Sequence, residues 1–333
     1  MSFSDTYDPT KSVLSGPGSA VSNREDLTDV LSILAPEETP VLSSASKQRA
    51  SSTFVEWTVD SLADVSTAGV SEGADVTSFT DKFSGRARLG NYTQKFRRDY
   101  MVSDLQEAVD SVGPAKIAQA EAKAIRELKR DVEATLLSDN EMSAENGSGT
   151  PYKLRGLGKW IQNGEQSTNP VPEAFRTPTG SIKEDASTLL ESEFNDLITS
   201  IYRETGTTNS LTLVADTALR RVISDFARIG VSGENREFNV SGDSGTIRLS
   251  VELYQSDHGV VSIINMNPDC APDKTNKDTG YLVNPEYYGV HELIPMGSTR
   301  LPNLGGGERG YVDCSLTLGV YHPQAHGKIT TIA

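Results

Sequence analysis

Apolar positions recur along this chain with two periods, and each change of period marks an element. The strongest signal is helical. Ile117, Ala120, Ala124, Ile125, Leu128, Val132 and Leu136 are spaced by three, four or one, which puts them on one stripe of a helix. Gly113 and Pro114 precede the stripe, and proline suits a first helical turn, so the spacing predicts a helix over 114–137. On its wetter side, Lys123 with Glu127 and Lys129 with Glu133 are spaced for i,i+4 ion pairs. A second stripe, Leu190, Phe194, Leu197, Ile198 and Ile201, predicts another helix, with Thr188 and Glu191 spaced as a capping box and Gly206 as its stop. A third helix is expected from Thr217 to Ile229, capped by Asp216, with Leu219, Val222, Ile223 and Phe226 inward. A short one is expected in EDLTDVLSILAP, ended by Pro36.

Elsewhere the period is two. STFVEWTVDSL reads as a strand through Phe54, Val55, Trp57 and Val59, and RARLGNYTQKFRRDYMVS as a second. The stretch between them, around Thr67 to Thr80, has too few large apolar residues for a core of its own. The pair therefore reads as a projecting hairpin over 51–100, a form that serves a function or packs on a partner. LTLVA is a further strand, and TIRLSVELYQS and VVSIINM are two more, turned by Asp257, His258 and Gly259. Near the end, Val312, Cys314, Leu316, Leu318 and Val320 alternate with Tyr311, Asp313, Ser315, Thr317 and Gly319, the pattern of a half-buried strand. KITTIA reads as a last strand. Residues 1–24, rich in Ser, Gly, Pro and Asp, read as an extended arm, and 139–181 as a loop-rich linker. The fold class is α+β, and no internal repeat is visible.

Composition narrows the function by exclusion. The chain has 333 residues, 36% apolar and 23% charged, a globular balance with length for a sizeable core. No run approaches the ~18 apolar residues of a membrane helix. The N-terminus lacks the pattern of a signal peptide, and the two isolated cysteines, Cys270 and Cys314, suit a reducing cytoplasm. A net charge of −15 argues against tight nucleic-acid binding, which needs clustered Lys and Arg.

Catalytic patterns are scarce. His322 and His326 have the spacing of a helical metal pair, but Pro323 and Gly327 oppose a helix there, so both read as surface histidines at a strand end. Asp257 and His258 read as turn residues, with a hydrolase built on them as the enzymatic alternative. Gly305-Gly306-Gly307 opens no periodic helix, which removes a phosphate cradle. The expectation is no catalytic site, no cofactor and no metal. Charge is another matter. Between Lys82 and Arg98 lie six basic residues and no acid, whereas residues 1–81 hold four bases and thirteen acids. The hairpin limbs thus carry opposite charge. Lys82, Arg86, Arg88, Lys95, Arg97 and Arg98 on one limb, with Glu56 and Asp60 on the other, are the candidate contacts to neighbouring subunits. Pairing of these charges within the hairpin is the competing reading.

The ordered succession EDLTDVLSILAPEETPVLSS, VEWTVDSL, NYTQKFRRDYMVSD, ELKRDVEATLL and VELYQSDHGVVSIINM resembles the major head proteins of tailed bacteriophages, of Hong Kong 97-type fold and in their SU-ten-like branch. The resemblance spans most of the chain. It implies an N-terminal arm over 1–50, an extended loop over 51–100, a peripheral domain over 101–182 with a spine helix at 114–137, an axial domain over 183–300, and strands over 301–333 returning to the peripheral domain. It also implies self-assembly into hexamers and pentamers of an icosahedral head around double-stranded DNA, without sequence-specific DNA binding or a membrane. The implied partners are separate scaffold, portal and decoration proteins. A non-viral encapsulating compartment of the same fold is the alternative.

Overall fold

The computed structural model describes residues 38–79, 81–83, 85–109, 116–208, 211–226, 252–275 and 278–331. The expected helix before Pro36, the first two residues of the 114–137 helix and the start of TIRLSVELYQS lie outside them. In chain order the elements are α1 (Pro40–Ser44), β1 (Ser46–Arg49), β2 (Phe54–Val59), β3 (Ala87–Tyr92), β4 (Gln94–Val102), α2 (Asp104–Ala108), α3 (Lys116–Leu137) and α4 (Leu157–Trp160). Then come β5 (Ile182–Lys183), α5 (Glu191–Thr205), β6 (Thr212–Ala215), α6 (Thr217–Phe226), β7 (Leu253–Ser256), β8 (Gly259–Asn265), β9 (Gly280–Val283), β10 (Tyr288–Leu301), β11 (Glu308–Val320) and β12 (Gly327–Ile329).

Two cores form. In the first, the stripe of α3, through Ala124, Leu128, Val132 and Leu136, packs with Phe96 and Tyr100 of β4 and Val312, Cys314 and Leu316 of β11. That sheet runs β1-β10-β11-β4. In the second, Phe194, Leu197, Ile198 and Ile201 of α5 and Leu219, Ile223 and Phe226 of α6 pack on a sheet ordered β5-β12-β9-β6-β8-β7. Strands β2 and β3 stand apart as a two-stranded hairpin.

Several elements follow the sequence reading. The α3 stripe faces inward and ends at Leu137, and Lys123 Nζ lies 3.8 Å from Glu127 Oε1. Gly206 ends α5 at φ 70°, donating its N–H to Tyr202 O at 2.7 Å, a left-handed position that suits glycine. Asp216 sits at the start of α6, and Ser256 pairs Gly259 across the β7–β8 turn.

Others differ, each for a physical reason. The expected Lys129–Glu133 pair is replaced: Glu133 turns into the core and accepts backbone N–H groups. The expected Thr188–Glu191 capping box is displaced by two residues. Glu193 Oε2 accepts from Leu190 N–H at 3.0 Å, while Thr188 donates to Asp185. The long second limb expected through Val102 breaks at Thr93, whose N–H donates to Thr53 O at 2.8 Å; beyond it the chain leaves β2 and pairs with β11 as β4. β11 is half-buried only up to Asp313. From Cys314 onward both of its faces are covered, because residues of the hairpin and of 139–181 lie over the outer one. The linker expected at 139–181 is itself core: Leu154, Leu157, Trp160, Ile161, Val171 and Phe175 are buried.

The sheets also exchange strands. β10 falls within the expected 183–300 lobe but pairs with β11 and β1, and β12, among the expected return strands, pairs with β9 and β5. Long-range hydrogen bonding, invisible to local periodicity, sets this membership. β10 bends on the way, through register shifts between Glu292 and Gly297 that enclose Pro295, a residue with no N–H for the ladder.

Candidate assembly surface

The hairpin root is seated by aromatic packing and a buried amide. Phe54 lies opposite Tyr92 with ring centroids 4.6 Å apart, and Tyr92 packs on Tyr152 at 5.6 Å. Trp57 is enclosed by Trp160, His291 and Tyr321, with centroids 5.6, 6.4 and 6.0 Å away. A Cβ at Gly90 would fall 2.6 Å from the Phe54 ring, so any larger residue there would have to push that ring aside. Buried Asn91 ties three segments together. Its Oδ1 accepts from Arg155 N–H at 2.8 Å, and its Nδ2 donates to Arg155 O at 3.1 Å and Leu318 O at 2.8 Å.

Arg155 anchors the far side of that joint and is 0% exposed. Its Nε donates to Glu141 Oε1 at 2.7 Å, its Nη2 to the carbonyls of Thr168 and Asn169, and its guanidinium lies 4.6 Å over Trp160. Burial draws its pKa below the ordinary arginine value, and Glu141 opposes that shift. A charge taken out of water is retained only where it is paired and hydrogen-bonded in this way.

The tip is the opposite. Between β2 and β3 the described residues form no helix or strand. Leu62 is 99% exposed and Phe79 90%, and Val65, Val70, Val76 and Phe83 also lie in solvent. Scattered exposed apolar residues are ordinary, but a run of them on one projecting segment marks an interaction surface. Covering each such side chain is worth about 1.5–3 kcal/mol.

The candidate charges divide between two places. On the hairpin, Arg86 Nε lies 2.8 Å from Asp60 Oδ2, and Arg88 Nη1 3.7 Å from Glu56 Oε2. The hydrogen bond from Arg86 holds the Asp60 carboxyl below its usual range. Lys82 is on the tip. Lys95, Arg97 and Arg98 lie on β4, outside the hairpin: Lys95 pairs with Asp313 at 3.1 Å, and Arg98 grips Asp131 of α3 through two bonds of 2.5 and 2.8 Å. That grip raises the Arg98 pKa. Among the described residues, Lys82 and Arg97 have no ion pair. Six of the eight candidates are thus partnered within the subunit, in exposed pairs that solvent screens.

The reactive side chains are occupied structurally. His326 is buried rather than on the surface: Nδ1 accepts from Asn284 N–H at 3.2 Å and Nε2 donates to Tyr287 O at 3.4 Å, and burial lowers its pKa to about 4. His322 is partly buried beside Phe175 and Tyr287. His258 stacks on Tyr202 with centroids 4.6 Å apart, and its carbonyl accepts from Thr208 Oγ1. Cys270 and Cys314 are free and buried, their thiols pushed up to about 11 and about 12. Among the described residues no His, Cys, Asp and Glu group could hold a metal, and no helix is long and apolar enough to cross a membrane.

The sequence reading missed Asn91, Arg155 and Trp57 as the hairpin's fastening. A polar residue beside the strand-forming Tyr92, and an arginine amid Leu154 and Leu157, were the signals present.

A long helix under one sheet, a second lobe with its own sheet, and a hairpin fixed at its root but bare at its tip define a shell-building subunit of Hong Kong 97 type. The fold matches the capsid of cyanophage P-SCSP1u at TM-score 0.63 and 14% identity, covering 98% of this chain and 99% of that one. It matches the capsid of a native GTA particle at 0.61 and 12%, covering 97% and 100%, and a Mycobacterium phage Adephagia chain at 0.60 and 12%, covering 94% and 96%. No curated protein matches the chain in sequence. Residues 9–333 match the SU10 major capsid protein family, and the chain belongs to it. It is a major capsid protein, and its family and fold are structural.

Proposed function

We propose that the subunit assembles into hexamers and pentamers of a closed phage head enclosing double-stranded DNA, with the hairpin as its principal reach onto a neighbour. The observation that carries this reading is the contrast within one hairpin: a root locked by Trp57 and Asn91, and a tip whose apolar side chains are exposed, with no cover among the described residues. In this reading 1–50 is the arm, 51–100 the extended loop and 114–137 the spine helix. The peripheral domain is 101–182 with 301–333 returning to it, and the axial domain is 183–300. The strand exchange of β10 and β12 makes those last two interlocked bodies rather than separate ones.

Lys82 and Arg97, which have no ion pair among the described residues, are the first charges offered to a neighbour. Arg86, Arg88, Lys95, Arg98, Glu56 and Asp60 contribute by exchanging weak intrasubunit pairs for intersubunit ones. Affinity accumulates because each copy meets several others. The net charge of −15 suits a wall that encloses DNA without gripping it. Scaffold, portal and decoration proteins are further partners, assembly takes place in the host cytoplasm, and the subunit carries no catalytic site. The turn role of Asp257 and the stacking of His258 on Tyr202 support that last point over a hydrolase.

Electron microscopy of the purified full chain tests the reading. Closed shells are the expected result. A persistent monomer under conditions that keep it folded would overturn it, and shells filled with protein cargo instead of DNA in infected cells would move it to an encapsulating compartment.

A further inference from the structure

Two asparagines of the irregular segment 139–181 are followed directly by glycine: Asn146-Gly147 and Asn163-Gly164. Asparagine amides are among the chemically labile side chains. All four residues are exposed, and a Cβ at either glycine would meet nothing within 4 Å, so no side chain shields either junction. The two carboxamides are held in opposite ways. Asn146 Oδ1 accepts from Ser148 N–H at 2.9 Å and from Thr150 N–H at 3.2 Å, and among the described residues nothing bonds its Nδ2. At Asn163 the amide nitrogen is the anchored atom: Nδ2 donates to Thr179 Oγ1 at 2.6 Å.

We propose that Asn146 is a self-modification site, whose carboxamide is lost as ammonia after attack by the Gly147 backbone nitrogen, leaving aspartate or isoaspartate, and that Asn163 is protected by its bond to Thr179. The proposal concerns the single subunit and stands whether or not the assembly reading does.

The bond to Ser148, two residues on, folds the Asn146 side chain back along its own backbone and brings Cγ beside the Gly147 nitrogen. As water takes the Gly147 amide proton, the nitrogen's electron pair forms the N–Cγ bond and the carbonyl pair moves onto Oδ1. The negative charge developing on Oδ1 is met by two backbone donors already in place. When the carbonyl re-forms, the Cγ–Nδ2 bond breaks and the nitrogen leaves as ammonia, taking a proton from water. Water then opens the five-membered imide at either carbonyl, giving aspartate or isoaspartate. In sum, carboxamide and water become carboxylate and ammonia, with nothing oxidised or reduced. Either product adds a negative charge. Isoaspartate also lengthens the backbone of the turn that Asn146 N–H closes on Thr150 O at 3.4 Å. At Asn163 the same attack must first break the bond to Thr179, and among the described residues no donor is bonded to its Oδ1.

Peptide mass spectrometry of the full-length protein, kept folded for weeks at mildly alkaline pH, tests this, because each conversion adds about 1 Da. The peptide holding Asn146 is expected to convert at least about tenfold faster than the one holding Asn163. In urea-unfolded protein the two rates are expected to come within about twofold, since the hydrogen bonds that separate them are gone. Thr179→Val, at an exposed position, is expected to speed Asn163 and leave Asn146 unchanged. Equal rates in the folded protein, or faster conversion at Asn163, would overturn the proposal. A difference that persists undiminished in urea would do the same, by placing its cause in the flanking sequence, and an unmoved Asn163 in Thr179→Val would overturn the protection.

Discussion

Two long segments of this protein lack extensive regular structure, and they have opposite fates. Residues 139–181 carry only one-turn helices, yet they bury Leu154, Leu157, Trp160, Ile161, Val171 and Phe175. Residues 60–86 also hold large apolar side chains, and Leu62, Val65, Val70, Val76, Phe79 and Phe83 all face water. Hydrophobicity alone does not separate them. Attachment does. The first segment is cross-tied within itself by Arg155, which bonds Glu141, Thr168 and Asn169, and its backbone has distant polar partners in Asn91 and Gln94. The tip's polar bonds are mostly local, such as Phe83 N–H to Asp81 and Ser61 N–H to Asp60. Irregular backbone becomes core where its polar groups find distant partners; without them it stays available to another chain.

The contrast can be broken or sharpened experimentally. The largest effect is expected at Trp160→Ala, which empties a fully buried aromatic site. Urea unfolding of dissociated subunits should show a loss of about 3–5 kcal/mol; a loss near zero would mean that the segment is not core. Next comes acid. His326 stays neutral when folded, with a pKa of about 4 against an ordinary 6.5. Its contribution is complete above pH 6.5 and is lost as pH falls towards 4, up to about 3 kcal/mol. Glu133 slopes the other way, contributing fully below 4.5 and losing that contribution as pH rises to about 7. The histidine slope should therefore emerge as the difference between wild type and His326→Gln across this range. Asn91→Ala, which strands the Arg155 and Leu318 backbone groups, is expected to cost about 2–3 kcal/mol. The smallest stability effect is expected at the tip. Replacing Leu62, Val65 and Phe79 together by Ser should change subunit stability by under about 0.5 kcal/mol while shell yield collapses in electron micrographs. Unaffected assembly would remove the tip from the interface.

The same contrast explains what was legible in the sequence. The helices of α3, α5 and α6 were readable because their apolar stripes are local and long. The hairpin turn at His258 was readable from three adjacent residues. Thr93, where one apparent strand becomes two, was not, because β4 leaves β3 only to meet β11 more than 200 residues later. Glu133 was misread for a similar reason: its i,i+4 spacing to Lys129 fits a surface pair, and its real partners lie 91 and 92 residues away. The candidate charges were found as a cluster in sequence, but the fold sends half of the basic ones to another sheet. Their excess over acids said nothing of Asp313 and Asp131, which partner Lys95 and Arg98.

The exchange of β10 and β12 between the sheets has a mechanical consequence. Each lobe is stitched to the other by continuous backbone set into its ladder, β10 beside β11 in one and β12 beside β9 in the other. Pulling the lobes apart therefore means breaking rows of ladder hydrogen bonds, and a side-chain contact alone does not hold them together.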